Sequence, residues 1–271
     1  MLNIQFVTDT KPGAPHNEDL FGFKGDTFWL LDGATSTDGP PLDRDAYWLV
    51  HEMDTMLDTL WELDLSMADA AAQACTRLSD RWPTLSSNRP VAALALWRIR
   101  DNKLEAAITG NVSLVVCRHG EAVELTDTRI LPAQQGASDA LLKALALGVS
   151  FESEEFRRLR REMKRKEAEA LDINAKGWLV SAAERRPEDF LSFELDLPEQ
   201  VTVFAATDGF MELRRYLDQP ELLSFVEQVE SMSLTKAIEH IRLCEEHPES
   251  GRRFPRTKRH DDVTAVLLKY L

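Results

Sequence analysis

Four carboxylates stand where apolar runs begin or end. Asp32 follows Phe28-Trp29-Leu30-Leu31 and precedes Gly33; Asp208 follows Val201–Thr207 and precedes Gly209; Asp261 and Asp262 open the last apolar run, VTAVLLKYL. Runs of this length read as strands, and strand ends from distant parts of a chain can meet at one edge of a sheet. Gathering several carboxylates there is unfavourable without a cation, because each partly buried charge costs several kcal/mol when uncompensated. Hard divalent ions such as Mg²⁺ or Mn²⁺ take oxygen ligands and relieve that repulsion. A glycine directly after the aspartate lets a backbone carbonyl approach such an ion. Taken singly, each Asp-Gly is only a turn signal. The chemistry depends on convergence.

The elements that must bring about this convergence are readable along the chain. Residues 1–9 and 20–31 pattern as strands. Apolar residues at Trp48, Val50, Met53, Met56, Leu57 and Leu60 trace a helical stripe, and Ser66 opens an alanine-rich helix running to about Trp82. Pro83 to Pro90 reads as a loop. From Val91, the runs VAALALWRI, LEAAIT, VSLVVCR and EAVELT, separated by Asp101-Asn102 and His119-Gly120, predict an antiparallel meander. The segment 130–190 is irregular, with helices expected at about 138–148 and 152–172 and a strand-like Trp178-Leu179-Val180. No repeat or low-complexity linker divides the chain, so this segment reads as an insertion in one domain spanning 1–271. Strands in two layers, with helices grouped before and between them, predict an α+β architecture.

Composition narrows the partners. The chain has 271 residues, 46 acidic against 32 basic, for a formal net charge of −14. Such a field repels polyanions and argues against nucleic-acid and anionic-membrane partners. Cys75, Cys117 and Cys244 are isolated, which fits a reducing cytoplasm and gives neither a disulfide framework nor a zinc pattern. No signal-peptide pattern stands at the amino terminus, and no apolar run approaches the ~20 residues of a bilayer span. A cytoplasmic protein is expected.

The order of the motifs adds a further reading. Asn17-Glu18-Asp19, Leu31-Asp32-Gly33-Ala34, a Gly110 motif, Ala206-Thr207-Asp208-Gly209 and Asp261-Asp262-Val263-Thr264 follow one another over nearly the whole chain. The series resembles the metal-dependent protein phosphatase (PPM) family, the type 2C serine/threonine phosphatases, in a divergent bacterial form. That resemblance implies a four-layer α-β-β-α sandwich of two antiparallel sheets flanked by helices. It implies that Asp32 bridges two Mg²⁺ or Mn²⁺ ions, with the Gly33 carbonyl on one of them. Asp208 and Asp261 would hold one metal and Glu18 the other, with Asp19 acting mainly through metal-bound water. Asp32 and Asp208 would be the central catalytic carboxylates. The implied reaction is hydrolysis of a phosphomonoester by a two-metal-activated water, the substrate being phosphoserine or phosphothreonine in a protein. Residues 130–190 would form a flap-like insertion beside the site.

The pattern departs from the family at named positions. Arginine usually stands four residues before the glutamate to grip phosphate; here the residue is Ala14. Asn111 replaces the aspartate that supports a third metal, so that third ion is expected to be weak or missing. Ala34 stands where some members carry a histidine, and Asp262 where asparagine is commoner. The run GRRFPRTKRH, residues 251–260, carries five Lys/Arg just before Asp261. From it Arg256, Lys258 or Arg259 is the expected replacement phosphate contact, the alternative being a solvated loop that balances an acidic protein. A second basic run, RRLRREMKRK at 157–166, reads as an amphipathic helix with a wet basic side, Phe156, Leu159 and Met163 facing inward. Two other functions stay open: a catalytically weak or inactive module that binds metal or a phosphoprotein, and a phosphatase of a small phosphorylated metabolite.

Overall fold

The computed structural model describes residues 2–35, 45–61, 63–81, 90–171 and 179–270. The apolar run around Leu30 explains the architecture. In β3 (Thr27–Ala34), Phe28 and Leu30 point to one face of a sheet while Trp29 and Leu31 point to the other, and all four are buried. A strand covered on both faces needs continuous rather than alternating hydrophobicity.

Among the described residues ten strands form two five-stranded sheets with all pairs antiparallel. The first has the order β1 (Leu2–Asp9), β10 (Val263–Tyr270), β9 (Val201–Ala206), β6 (Ser113–Arg118), β7 (Glu121–Leu125). The second has the order β2 (Asp19–Lys24), β3, β4 (Val91–Arg100), β5 (Lys103–Thr109), β8 (Leu191–Asp196). The sheets pack face to face through Phe28, Leu30, Trp97 and Ile108 on one side and Leu114, Val203, Val266 and Leu268 on the other.

The outer face of the second sheet is covered by α1 (Ala46–Leu60) and α2 (Met67–Ser79), which bury Leu49, Met53, Ala71 and Cys75 against Trp29, Leu94 and Leu96. Both helices start at side-chain caps: Asp45 accepts from the Trp48 N–H, and Ser66 from the Asp69 N–H. The outer face of the first sheet is covered by later helices, which bury Phe225, Val229, Ala237 and Ile241 against Phe204 and Leu267. The result is an α+β fold of four layers, α-β-β-α.

Those later helices follow β9: two short ones, which with the first four are numbered in chain order below, precede the two long covering helices. Before them, α3 (Leu131–Ala146) and α4 (Glu154–Leu171) form a hairpin with its own small core of Ala137, Leu141, Leu145, Phe156 and Met163. Six of the arginines and lysines of α4 pair with glutamates of the same helix, as in Arg157–Glu154 at 2.9 Å and Arg165–Glu169 at 2.6 Å, and form a solvated helix face, while Arg160 turns its Nε inward. After β9 come α5 (Asp208–Met211), α6 (Leu213–Tyr216), α7 (Leu222–Met232), α8 (Leu234–Glu246) and α9 (Ser250–Arg253). Among the described residues no helix is long and apolar enough to cross a membrane.

Several expectations need correction. Residues 20–31 are two strands, a hairpin turning at Gly25-Asp26. The expected meander is two hairpins in different sheets: the chain leaves β5 at Gly110 and crosses to start β6 in the other sheet. Strand β8 was not anticipated, although Leu191-Ser192-Phe193-Glu194-Leu195-Asp196 alternates strictly; it borders the irregular segment and pairs with a strand more than eighty positions away. Helix α3 begins earlier than expected, around Pro132, which suits a first turn. Val180 makes an isolated bridge to Ala92 rather than a strand. The alanine-rich helix ends at Ser79, a few residues before the expected Trp82, with Asp80 as its C-cap; the expected loop at 83–89 and Trp178 lie outside the described residues.

Candidate functional site

The register of β2 against β3 sets Asp19 directly opposite Asp32. In the other sheet β9 and β10 pair so that Ala265 faces Ala206, which brings Thr207-Asp208 beside Asp261-Asp262. The Thr207 N–H donates to the Thr264 carbonyl at 3.0 Å, and the Thr264 N–H donates to Thr207 Oγ1 at 3.1 Å. The β2–β3 pair at Asp19 and Asp32 and the β9–β10 pair at Thr207 and Thr264, one pair from each sheet, end beside one another.

Two hydrogen bonds close the gap between the sheets. Thr207 Oγ1 donates to Asp19 Oδ2 at 2.9 Å, and the Asp208 N–H points at Asp32 Oδ2 at 3.4 Å. From the β5–β6 crossing, Asn111 Nδ2 donates to Asp208 Oδ2 at 2.7 Å. The glycines are needed for close approach. A Cβ on Gly33 would lie 2.5 Å from the Glu18 carbonyl oxygen, and one on Gly209 would lie 2.2 Å from the Asp262 carbonyl oxygen. Backbone meets backbone at both points.

Two lysines enter the acidic group. Lys11 Nζ lies 2.8 Å from Asp262 Oδ2 and 3.3 Å from Glu18 Oε2. Asp262 also accepts from the Lys11 N–H at 2.8 Å and the Glu18 N–H at 3.2 Å. On the other side Lys258 Nζ is paired with Asp261 Oδ2. Thr35 donates to Glu18 Oε1 and accepts from the Ala46 N–H at 2.8 Å, tying Glu18 to the start of α1.

The charges have the signature of a crowded site. Burial pushes the Asp19 carboxyl well above its ordinary range, and the charge of Asp261 adds to this. Burial does the same to Asp32, reinforced by Asp208 and Asp19. Asp261 is pushed up to about 6 by burial, with Lys258 opposing. Burial works against the Lys258 charge, but Asp261, Asp208 and Asp32 together hold its ammonium well above the usual lysine range. Lys11 is likewise raised against burial, mainly by its bond to Asp262 and the charge of Glu18.

The expected ligands Glu18, Asp19, Asp32, Gly33, Asp208 and Asp261 therefore share one neighbourhood. As the side chains stand, no three His, Cys, Asp or Glu among the described residues are drawn together closely enough to hold a metal ion. Lysine ammoniums and hydroxyl or amide donors occupy the carboxylate oxygens instead.

Of the three expected phosphate contacts only Lys258 reaches this group. The Arg256 guanidinium is buried and spent on its own loop. It donates to the Arg259 carbonyl at 3.0 and 2.6 Å, to Ser250 Oγ at 2.8 Å and to the Phe254 carbonyl at 3.3 Å, and lies over the Phe151 ring. Arg259 pairs with Glu152 and Glu246. Lys11, Thr207 as a bridge, and Thr35 were not anticipated as site residues. Thr207 had a signal in its place just before Asp208-Gly209; Lys11 had none beyond proximity in sequence to Glu18.

Beside Asp208 and Asp261 opens a cleft of about 200 Å³, lined also by Leu142 of α3, Glu212, Arg215 and Lys258. The α3–α4 hairpin thus reaches the site through Leu142.

The fold is that of the PPM serine/threonine phosphatases. PstP, solved as a catalytic domain with two manganese ions and as the Mycobacterium tuberculosis phosphatase PstP/Ppp, is 14% identical over 98% of this chain and 97% of that one, with a TM-score of 0.54. The PPM phosphatase MsPP of Mycobacterium smegmatis, in complex with cacodylate, is 13% identical over 99% and 98% of the two chains (TM-score 0.53). The S. agalactiae serine/threonine phosphatase is 15% identical over 99% of both (TM-score 0.52). Compared by sequence, the chain matches no protein-family model and no curated protein.

Proposed function

We propose that the protein is a metal-dependent phosphatase that hydrolyses phosphomonoesters, with phosphoserine or phosphothreonine of a protein as its substrate. The observation that carries the reading is the meeting of Asp32 and Asp208 from opposite sheets, the Asp208 N–H directed at Asp32 Oδ2. Asp32, Asp208 and Asp261 form an all-oxygen donor set, and burial, with repulsion between neighbouring carboxylates added, raises Asp19, Asp32 and Asp261 above the ordinary carboxyl range. Such a set fits Mg²⁺ or Mn²⁺ in kind. Asp32, Asp208 and Asp261 would hold one ion, and Glu18, Asp32 and the Gly33 carbonyl a second. The bound ions supply a more acidic water and neutralise charge on phosphoryl oxygens.

The chain's own residues fix the frame for that chemistry. Thr207 holds Asp19 in place, Asn111 turns Asp208, and Gly33 and Gly209 allow the strand ends to close. The cleft at Leu142 and Arg215 leads to the acidic group, with the α3–α4 hairpin as a flap at its side.

A second reading is a metal- or phosphoprotein-binding module without turnover. It is favoured by Ala14 in place of the phosphate-gripping arginine and by the lysines seated among the carboxylates. Hydrolysis of p-nitrophenyl phosphate with and without Mn²⁺ separates the two, comparing wild type with Asp32→Asn and Asp208→Asn. Metal-dependent turnover lost in both variants supports the phosphatase. Absence of turnover, with calorimetric Mn²⁺ binding that needs Asp32, supports the module. Phosphopeptides assayed beside small phosphoesters then decide the substrate class.

A further inference from the structure

The ammonium of Lys258 is built into its position. Arg256 clamps the preceding loop through the Arg259 and Phe254 carbonyls and Ser250. On the other side His260 Nδ1 lies 3.0 Å from Glu245 Oε2, and Arg242 Nη1 donates to the Asp261 carbonyl at 2.9 Å. Both flanks of Lys258 are thereby pinned, and the side chain reaches Asp261 three residues on. A solvated surface lysine has no such scaffold.

Lys258 is paired with Asp261 and shares the lining of the cleft with Asp208, whose N–H is directed at Asp32. These are the same three that the proposed function gives to one metal ion. The lysine side chain retains 37% exposure and lines the 200 Å³ cleft, so open volume adjoins the ammonium. Lys11 is paired with Glu18 and Asp262, which leaves Lys258 as the ammonium on the Asp32–Asp208–Asp261 side, with Asp19 opposite Asp32 as a fourth carboxylate. A divalent ion brings twice the charge to the same oxygens.

We infer that Lys258 is an internal competitor for the metal: its ammonium and a divalent cation hold the Asp32–Asp208–Asp261 oxygens in turn, and metal binding displaces Lys258 toward the cleft. This rests on the metal-dependent reading of the site. It makes Lys258 a residue that sets the ion concentration at which the site fills, and it gives the metal-free protein a counter-ion of its own.

The test reads binding and amine reactivity rather than turnover. Calorimetric titration of metal-free protein with Mn²⁺ compares wild type, Lys258→Met and Arg215→Gln. Arg215→Gln removes a positive charge from the same cleft without touching Asp261, and so measures the effect of charge alone. Competition predicts that Lys258→Met binds Mn²⁺ about tenfold tighter than wild type or more, the share of one charge-assisted contact, with Arg215→Gln close to wild type. In the wild-type protein a brief pulse of an amine-acylating reagent, read by mass spectrometry, is expected to label Lys258 several-fold faster with Mn²⁺ bound, relative to the exposed Lys236. The labelling arm uses no variant and stands even where Lys258→Met does not fold. Equal or weaker Mn²⁺ binding by Lys258→Met, or Lys258 labelling unchanged by bound Mn²⁺, overturns the competition while leaving the metal site intact. Absence of Mn²⁺ binding by both wild type and Lys258→Met overturns the metal reading itself. Binding by Lys258→Met alone supports competition in its strongest form.

Discussion

Asn111 donates its side-chain amide to the Asp208 carboxylate at 2.7 Å, across 97 positions of sequence. A neutral donor here satisfies one oxygen of a crowded acidic group without adding charge. Substituting Asn111→Asp turns that attraction into carboxylate repulsion. The metal-free protein is expected to lose about 1–3 kcal/mol, the cost of replacing a charge-assisted bond by an unsatisfied contact, and saturating Mn²⁺ is expected to restore most of it. Thermal melting with and without the ion measures both. A variant whose metal-free melting matches wild type would show that Asn111 does not restrain Asp208.

Thr207 joins the sheets by donating to Asp19 while accepting from the Thr264 N–H. Thr207→Val keeps the shape and strands both partners in a buried place. The expected loss is about 1–3 kcal/mol in urea unfolding, with Thr207→Ser restoring the hydroxyl and most of the stability. Equal losses for Val and Ser would place the contribution of Thr207 in its methyl group instead.

The raised carboxyls give the metal-free protein a defined pH response. Asp261 is pushed up to about 6, and Asp19 and Asp32 are also raised. A carboxyl whose folded-state pKa exceeds its unfolded value binds its proton more tightly when folded. Its contribution is therefore full below the unfolded value and is lost as pH rises through the folded one. The melting temperature without metal is expected to fall between pH ~5 and ~7, with saturating Mn²⁺ flattening the slope. Asp261→Asn should make the metal-free profile shallower. A metal-free melting temperature that rises across this window would contradict the assignment.

Arg256 and Arg259 separate structure from substrate contact. Arg256→Ala removes the clamp on the 254–259 loop and is expected to destabilise the fold by about 2–3 kcal/mol, as for hydrogen bonds to a charged group. Arg259→Ala, whose partners Glu152 and Glu246 lie outside the acidic group, is expected to leave KM for p-nitrophenyl phosphate unchanged. A raised KM in Arg259→Ala with normal stability would return Arg259 to the phosphate site.

Much of the site was legible because its carboxylates mark strand ends. The run from Phe28 to Leu31 must be a strand buried on both faces, and its abrupt stop puts Asp32 at an edge. The same logic places Asp208 and Asp261. The sheet partition was not legible: nothing local to Gly110 says that the chain changes sheets there rather than turning back. Nor was the aim of Lys258 and Arg256, which are two residues apart in one basic run. One reaches carboxylates and the other carbonyls, because the choice is made by Arg242, Glu245 and Ser250 on neighbouring elements.

The long separations within the site have a consequence for how the molecule forms. Thr207 reaches back 188 positions to Asp19, and Lys11 reaches forward 251 positions to Asp262. Closures of this length cost entropy before any contact repays it. Hairpins such as β2–β3 and β6–β7 are local and can zip early. Asp261 and Asp262 join the other acidic strand ends only once β10 has docked between β1 and β9. The acidic group is complete only when the first and last strands are paired, so loss of the β1–β10 pairing is expected to withdraw Lys11 and Asp262 from it together.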